Sequence, residues 1–187
     1  SVKTLGGRAS VIILLVLFFD QILKLWVKTN LNIGDEIIIT NWFILHFLEN
    51  NGFAFGYEFF GGIGKLILTF FRIFAAIIIL KWLIGLIKKG GEVWFVYSFA
   101  LIFAGAVGNI IDSVFYGVIF NYAPMFYGKV VDMFYFPLIS GFWPDWVPFV
   151  GNQYFVFFRP VFNIADSSIT VGSVLLLLVY LKKGGSK

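Results

Sequence analysis

The sequence predicts an all-α membrane protein, with four transmembrane helices carrying a small extracytoplasmic β-cradle and interfacial segments. Composition is the first ground: 187 residues that are 60% hydrophobic and only 13% charged, with a mean hydropathy of +0.93, leave too little polar surface for a water-soluble globule. The second is a set of four apolar runs near the roughly 20 residues needed to cross a hydrocarbon core, from about Val11 to Val27, Leu66 to Ile87, Val93 to Ile111 and Val161 to Leu181. The third is the pair of longer segments between them, which hold short β-prone stretches and most of the acids. All of this reads as one membrane domain over residues 1–187.

Cysteine is absent, so disulfides, thiolate metal sites and a cysteine nucleophile are excluded. The formal charge of +4 builds no basic stripe, because the lysines and arginines sit at the ends of apolar runs, and nucleic acid is not expected as a partner. Those basic residues instead orient the chain. Lys3 and Arg8 precede the first run, Lys88 and Lys89 join the second to the third, and Lys182, Lys183 and Lys187 follow the fourth. By the positive-inside rule these segments, and both termini, are cytoplasmic. The first run has the basic start of a signal peptide but no small-x-small site after it, and is read as a retained helix.

The loops of about residues 28–65 and 112–160 then face outward, with Asp35, Glu36, Glu49, Glu58, Asp132 and Asp145. In the first, Glu36–Thr40 and Phe43–Leu48 read as strands with Asn41-Trp42 at the turn between them, followed by the turn signal Asn51-Gly52. Phe53 to Phe60 is aromatic with a single acid, as expected of a segment in the membrane interface. In the second, Lys129–Tyr135 is β-prone, and Trp143 and Trp146, among Pro137, Pro144 and Pro148, read as interfacial anchors. No repeat of 20 to 50 residues and no matched interrupted helices point to a transporter architecture.

Charges inside a span cost several kcal/mol unless paired or hydrated, so each one needs a reason. Asp20 and Lys24 stand four apart on the first helix, as a structural ion pair or as a pair that orients other groups. Arg72, some six residues into the second span, snorkels outward, pairs with an acid or faces a polar cavity. Asn109 and Asp112 share one face at the end of the third span, and Asn163 and Asp166 do the same at the start of the fourth, so the two Asn-x-x-Asp pairs converge at one depth. Asp132 adds a third carboxylate within an apolar run. Each acid alone reads as a cap or ion-pair member, but together they are solvated most cheaply by a shared polar cavity.

Two carboxylates a few ångströms apart share a proton and titrate as a unit. The ionised one takes a proton from water while the protonated one polarises a carbonyl, which suits peptide hydrolysis. Other layouts find little support: His46 is the only histidine, and His46-Phe47-Leu48-Glu49 lacks zinc-protease spacing. His46 reads as a hydrogen-bonded strand or turn residue, and Ser167 and Ser168 as first-turn helix hydroxyls. No metal and no cofactor are expected.

The residues Asp20-Gln21-x-x-Lys24, Asn50-Asn51-Gly52-Phe53-Ala54-Phe55, Gly108-Asn109-x-x-Asp112, Val130-Val131-Asp132 and Phe162-Asn163-x-Ala165-Asp166 occur in that order. In this set the chain resembles the lipoprotein signal peptidase family, signal peptidase type II, over nearly its whole length. The resemblance implies a four-helix aspartyl endopeptidase of the bacterial cytoplasmic membrane, its active site near the outer face. It would cut a prolipoprotein just before its diacylglyceryl-modified cysteine, with that substrate and membrane lipids as partners and the enzyme a monomer. The catalytic dyad maps onto Asp132 and Asp166, and supporting positions onto Asp20, Lys24, Asn50, Gly52, Gly108, Asn109, Asp112 and Asn163. One position departs: Ser113 follows Asp112 where the family often has Arg, and Arg72 is expected to supply that cation instead. The outer segment 133–160 is long for the family and is assigned membrane contact or substrate gating. The competing reading, a small proton-coupled transporter component, requires a polar path across the membrane, yet the cytoplasmic halves of the spans are nearly all Leu, Ile, Val and Phe.

Overall fold

The computed structural model of the chain describes residues 2–51, 61–157 and 159–184. Unbroken apolar sequence without an interior proline forms helix α1 (Val2–Asn30), α2 (Gly61–Lys88), α3 (Val93–Ile111) and α5 (Ile164–Gly184). All four are long and apolar enough to cross a membrane. Their outward faces are large and apolar, with Leu14, Phe18, Phe71 and Leu177 each more than half exposed. Their inward faces are small or polar, as helix association in lipid demands when apolar side chains gain nothing by leaving it. Ala9, Ala100, Ala104, Ala165, Thr69 and Ser98 are all buried.

Helix α3 is central and packs against α1, α2 and α5. Its approach to α5 leaves no room for side chains. A Cβ on Gly105 would stand 2.2 Å from the Ala165 carbonyl oxygen and 2.7 Å from Ile169 Cγ1, and one on Gly172 would stand 2.8 Å from the Ser98 carbonyl oxygen. The Ser167 hydroxyl donates to the Asn163 carbonyl at 2.9 Å, as expected of a first-turn hydroxyl, whereas that of Ser168 donates across this contact to the Leu101 carbonyl at 2.8 Å and ties α5 to α3.

The lysine-rich ends gather at one end of the bundle, where Leu5, Arg8, Gly90 and Val93 line one groove and the Lys183 ammonium lies 5.5 Å from the Phe95 ring. At the opposite end sits a four-stranded antiparallel sheet in the order β1 (Glu36–Thr40), β2 (Phe43–Asn50), β3 (Val130–Tyr135), β6 (Val161–Phe162). The first hairpin turns at Asn41-Trp42 as its sequence predicts. Glu49 opposes Val131, Leu48 opposes Asp132 and Leu45 opposes Phe134, so β2 carries a bulge between Leu45 and Leu48. Because strand residues alternate in direction, Val131 and Met133 enter an apolar cluster with Val27, Phe47 and Tyr116, and Asp132 between them is turned the other way.

Several boundaries differ from the sequence expectation, among them the start of α2, at Gly61 rather than Leu66. Helix α1 is longer at both ends than the apolar run Val11–Val27. The fourth helix starts at Ile164 rather than Val161, because Val161 and Phe162 pair with Tyr135 and Phe134 as β6 and Asn163 caps the helix. The end of α3 continues into a π-helical turn, Asp112–Tyr116, and a last short turn, α4 (Gly117–Ile119). The wider turn leaves the carbonyls of Ser113 and Val114 to accept from Gly128 (2.9 Å) and Phe126 (3.1 Å). Gly128 comes so close that a Cβ there would lie 2.1 Å from the Asp112 carbonyl oxygen.

A second hairpin, β4 (Ile139–Phe142) with β5 (Tyr154–Phe157), was not evident in the sequence. Trp146 and Phe149 at its tip are 81% and 99% exposed, whereas the Trp143 ring packs at a tilt against Phe155 with ring centroids 4.8 Å apart. His46 is a strand residue on β2, as expected. Its Nδ1 lies 2.8 Å from Glu36 Oε1 but is not aligned for a hydrogen bond. The expectations for Gly52, for Phe53–Phe60 and for Lys187 fall outside the described residues.

Gly105→Ala is therefore expected to destabilise the bundle by about 1–3 kcal/mol through overpacking at the α3–α5 contact. Gly85→Ala on α2, where a Cβ would meet nothing within 4 Å, is expected to be neutral or mildly stabilising. Thermal melts of both variants in one detergent check the contrast.

Candidate active site

The site forms where α1, α3 and α5 meet the sheet, around an ammonium group. Lys24 is fully buried, its Nζ 2.8 Å from Asp20 Oδ2 and 2.9 Å from Asp112 Oδ2. It also donates to Asn109 Oδ1 at 3.0 Å. Asp20 and Lys24 face the same way because they are one turn apart. Gly108 makes room for them, since a Cβ there would stand 2.8 Å from Asp20 Oδ2. Gln21 closes the group: its amide donates to Asp112 Oδ1 at 3.0 Å and to Asp20 Oδ2 at 3.1 Å, and its oxygen accepts from the Tyr116 hydroxyl at 3.0 Å.

Two backbone amides complete the cluster. Ala165 N–H donates to Asp20 Oδ1 at 2.8 Å and Val131 N–H to Asp112 Oδ2 at 3.2 Å. The first N-terminal amides of a helix have no intrahelical acceptor, so Asp20 caps α5 from another helix. Asn163 is the second cap: its Oδ1 accepts from Asp166 N–H at 2.8 Å, and Asp166 Oδ2 accepts from Asn163 N–H at 3.4 Å. This reciprocal arrangement is a capping box, in which the acid three residues into the helix reaches back to the capping residue.

That box also ties Asp166 to Asp132. The Asn163 amide donates to Asp132 Oδ1 at 2.7 Å, to the Val131 carbonyl at 3.2 Å and to Asn109 Oδ1 at 3.2 Å. Asn109 in turn donates to Asp166 Oδ1 at 2.8 Å. Each carboxylate is thus fixed firmly through Oδ1 by an asparagine. Among the described residues each Oδ2 accepts only at 3.4 Å, from the Asn50 side chain for Asp132 and from the Asn163 backbone N–H for Asp166, and is the more loosely held oxygen of its carboxylate. Asp132 is 4% exposed while Asp166 is half-buried, so the pair opens at Asp166.

Burial and, next, the negative charge of Asp166 push the Asp132 carboxyl up to about 7, against the opposing effects of Asn50, Lys24 and Asn163. Near neutral pH it is therefore the member of the pair that retains a proton.

Helix α2 contributes a polar stripe at helical spacing, Lys65, Thr69 and Arg72. Lys65 is buried and donates to the Asn51 carbonyl at 3.0 Å and to Ser113 Oγ at 3.3 Å. Arg72 reaches the same hydroxyl at 3.4 Å and feels the charges of Asp166, Asp132 and Asp112. Arg72 is thus turned toward the polar cluster rather than outward. The structure thus brings together Asp20, Lys24, Asn50, Gly108, Asn109, Asp112, Asp132, Asn163, Asp166 and Arg72, with Gly52 outside the described residues. Sequence reasoning missed Lys65 and Tyr116 and gave Gln21 no role. The lysine's position four residues before Thr69 and seven before Arg72 was the signal that could have found it.

Four spanning helices with a polar cluster at one end, and two amide-tethered carboxylates where a strand meets a helix N-terminus, define a multi-pass membrane protein with a paired-carboxylate centre. The model of the family Signal peptidase (SPase) II matches residues 12–182. A lipoprotein signal peptidase of Porphyromonas gingivalis is 45% identical over 192 residues, covering 94% of this chain and 83% of its own. One of Amoebophilus asiaticus is 42% identical over 177 residues, covering 89% and 75%. A solved bacterial membrane enzyme superposes with a TM-score of 0.68 at 29% identity, over 97% of this chain and 92% of its own. The chain belongs to the signal peptidase II family.

Lys24→Met is expected to cost about 3–5 kcal/mol, because it leaves Asp20 and Asp112 buried without their cation. Adding Asp112→Asn to it should recover a good part of the loss, read by denaturation of both variants in the same detergent.

Proposed function

We propose that Asp132 and Asp166 are the catalytic pair of an aspartyl endopeptidase, which cuts a prolipoprotein just before its diacylglyceryl-modified cysteine. Family membership makes the chain a multi-pass membrane protease of the bacterial inner membrane that removes lipoprotein signal peptides; the transporter reading finds no support in it. The observation that carries the aspartyl reading is Asn163, one side chain that holds Asp132 through its amide nitrogen and the helix turn of Asp166 through its oxygen. In the proposed reaction Asp166 removes a proton from water as its oxygen attacks the scissile carbonyl carbon. Protonated Asp132 donates to the carbonyl oxygen, giving a tetrahedral diol. Collapse of the diol breaks the C–N bond, with one diol hydroxyl returning its proton to Asp132 while the proton held by Asp166 passes to the leaving nitrogen.

Asp20, Lys24, Gly108, Asn109, Asp112 and Asn163 support the pair in this reading, Asn50 steadies Asp132, and Gly52 is assigned with them from the family motif alone. The lysine-rich ends lie in the cytoplasm, which puts the sheet and the carboxylates at the outer face, and the enzyme works as a monomer.

Asp132→Asn and Asp166→Asn should each lower turnover of a lipid-modified prolipoprotein below about 1% of the parent while leaving the fold intact. Retention of substantial activity by either would remove that residue from the pair. The rate should follow a bell in pH, falling on the acid side as the pair takes up a second proton and on the alkaline side as Asp132 loses its own, through about 7. A flat profile across that range would contradict a shared proton.

A further inference from the structure

The polar cluster holds more positive charge than one ion pair needs, and the excess comes from α2. Among the described residues, the charged groups that face it are Asp20 and Lys24 from α1, Lys65 and Arg72 from α2, Asp112 at the π-helical turn, Asp132 from β3 and Asp166 from α5. The nearby acids of the sheet are engaged elsewhere: Glu49 pairs with Lys28 and Lys129, and Glu36 sits beside His46. The Tyr116 hydroxyl donates to Gln21.

Four carboxylates thus meet three cations, and the cluster is electrically neutral when one proton is present. Asp20 and Asp112 each contact the Lys24 ammonium and each accept a backbone amide, from Ala165 and Val131. Both therefore have the Lys24 ammonium as their counter-charge. The remaining proton belongs to the pair that Asn163 and Asn109 join, Asp132 and Asp166. Uncompensated charge in a medium of low dielectric is expensive, so removing one cation from this group has to be answered by a proton.

We infer that Lys65 and Arg72, converging on the Ser113 hydroxyl, are positioning residues that hold the site neutral with a single proton on the Asp132–Asp166 pair. Lys65 has a second task, since its bond to the Asn51 carbonyl fixes the strand end at which Asn50 reaches Asp132. The inference rests on the dyad reading above, and it assigns to Lys65 a role beyond structure.

The test is the pH profile of kcat and of kcat/KM on a lipid-modified prolipoprotein, for Lys65→Met, Arg72→Gln, Lys65→Arg and Arg72→Lys. Each charge-removing variant should move both limbs of the bell to higher pH by about one unit or more, one unit being the effect of a single charge about 12 Å away at an effective dielectric near 20. Each charge-keeping variant should restore the parent limbs. Lys65 is buried and Arg72 half-buried, so Arg72→Gln gives the reading if Lys65→Met does not fold. Limbs that stay in place while the rate merely scales down would overturn the inference yet leave the dyad standing, provided Asp132→Asn and Asp166→Asn are inactive. Activity in those two variants would remove the dyad itself, and this inference with it.

Discussion

Everything at the functional end of the molecule depends on one buried ammonium held between two carboxylates. Burying ions is expensive, and the attraction between them offsets that cost only where every remaining lone pair and proton is satisfied. Here they are. Lys24 meets Asp20, Asp112 and Asn109, and the two acids accept from Gln21 and from backbone amides of α5 and β3. The ion cluster therefore fixes how four separate parts of the chain meet: α1, the end of α3, the start of α5 and strand β3. Apolar contacts could not do this in a membrane, where an outward-facing leucine is as well solvated as an inward one.

From that anchor the geometry of the carboxylate pair follows by short steps. Asp20 caps Ala165, which sets the first turn of α5; the first turn sets Asp166; Asn163 at its head reaches across to Asp132. A helix N-terminus carries unsatisfied donors and a positive dipole end, and both favour negative charge nearby. The same physics that starts the helix thus places one acid of the pair. The other acid stands on a strand whose opposite face is sealed into an apolar cluster by Val131 and Met133, so its direction follows from the pleat of the sheet.

Much of this was legible in the sequence, and what was not has identifiable causes. The spans follow from hydropathy, and the meeting of Asn109, Asp112, Asn163 and Asp166 from three-residue spacings at two helix ends. Strand β6 was hidden because Val161 and Phe162 are as apolar as the helix that follows, and only their pairing with Tyr135 and Phe134 marks them as sheet. The π-helical turn has no composition of its own; it exists because Gly128 and Phe126 take the carbonyls it frees. Lys65 was hidden by position, since a lysine at the edge of an apolar run normally anchors in the interface. Tyr116 looks like any aromatic residue near a membrane surface until Gln21 is seen to accept from it.

The ladder between β3 and β6 has a further meaning. Phe134 pairs with Phe162 and Tyr135 with Val161, so the two strands that lead to Asp132 and Asp166 are stitched side by side. Everything between them, including the β4–β5 hairpin, is a detour that leaves the sheet and returns to the same place. A closed detour can lengthen or shorten at small entropic cost, growing only with the logarithm of its length, without altering the separation of its two ends. The chain has in effect decoupled an adaptable outer appendage from the spacing of its carboxylates.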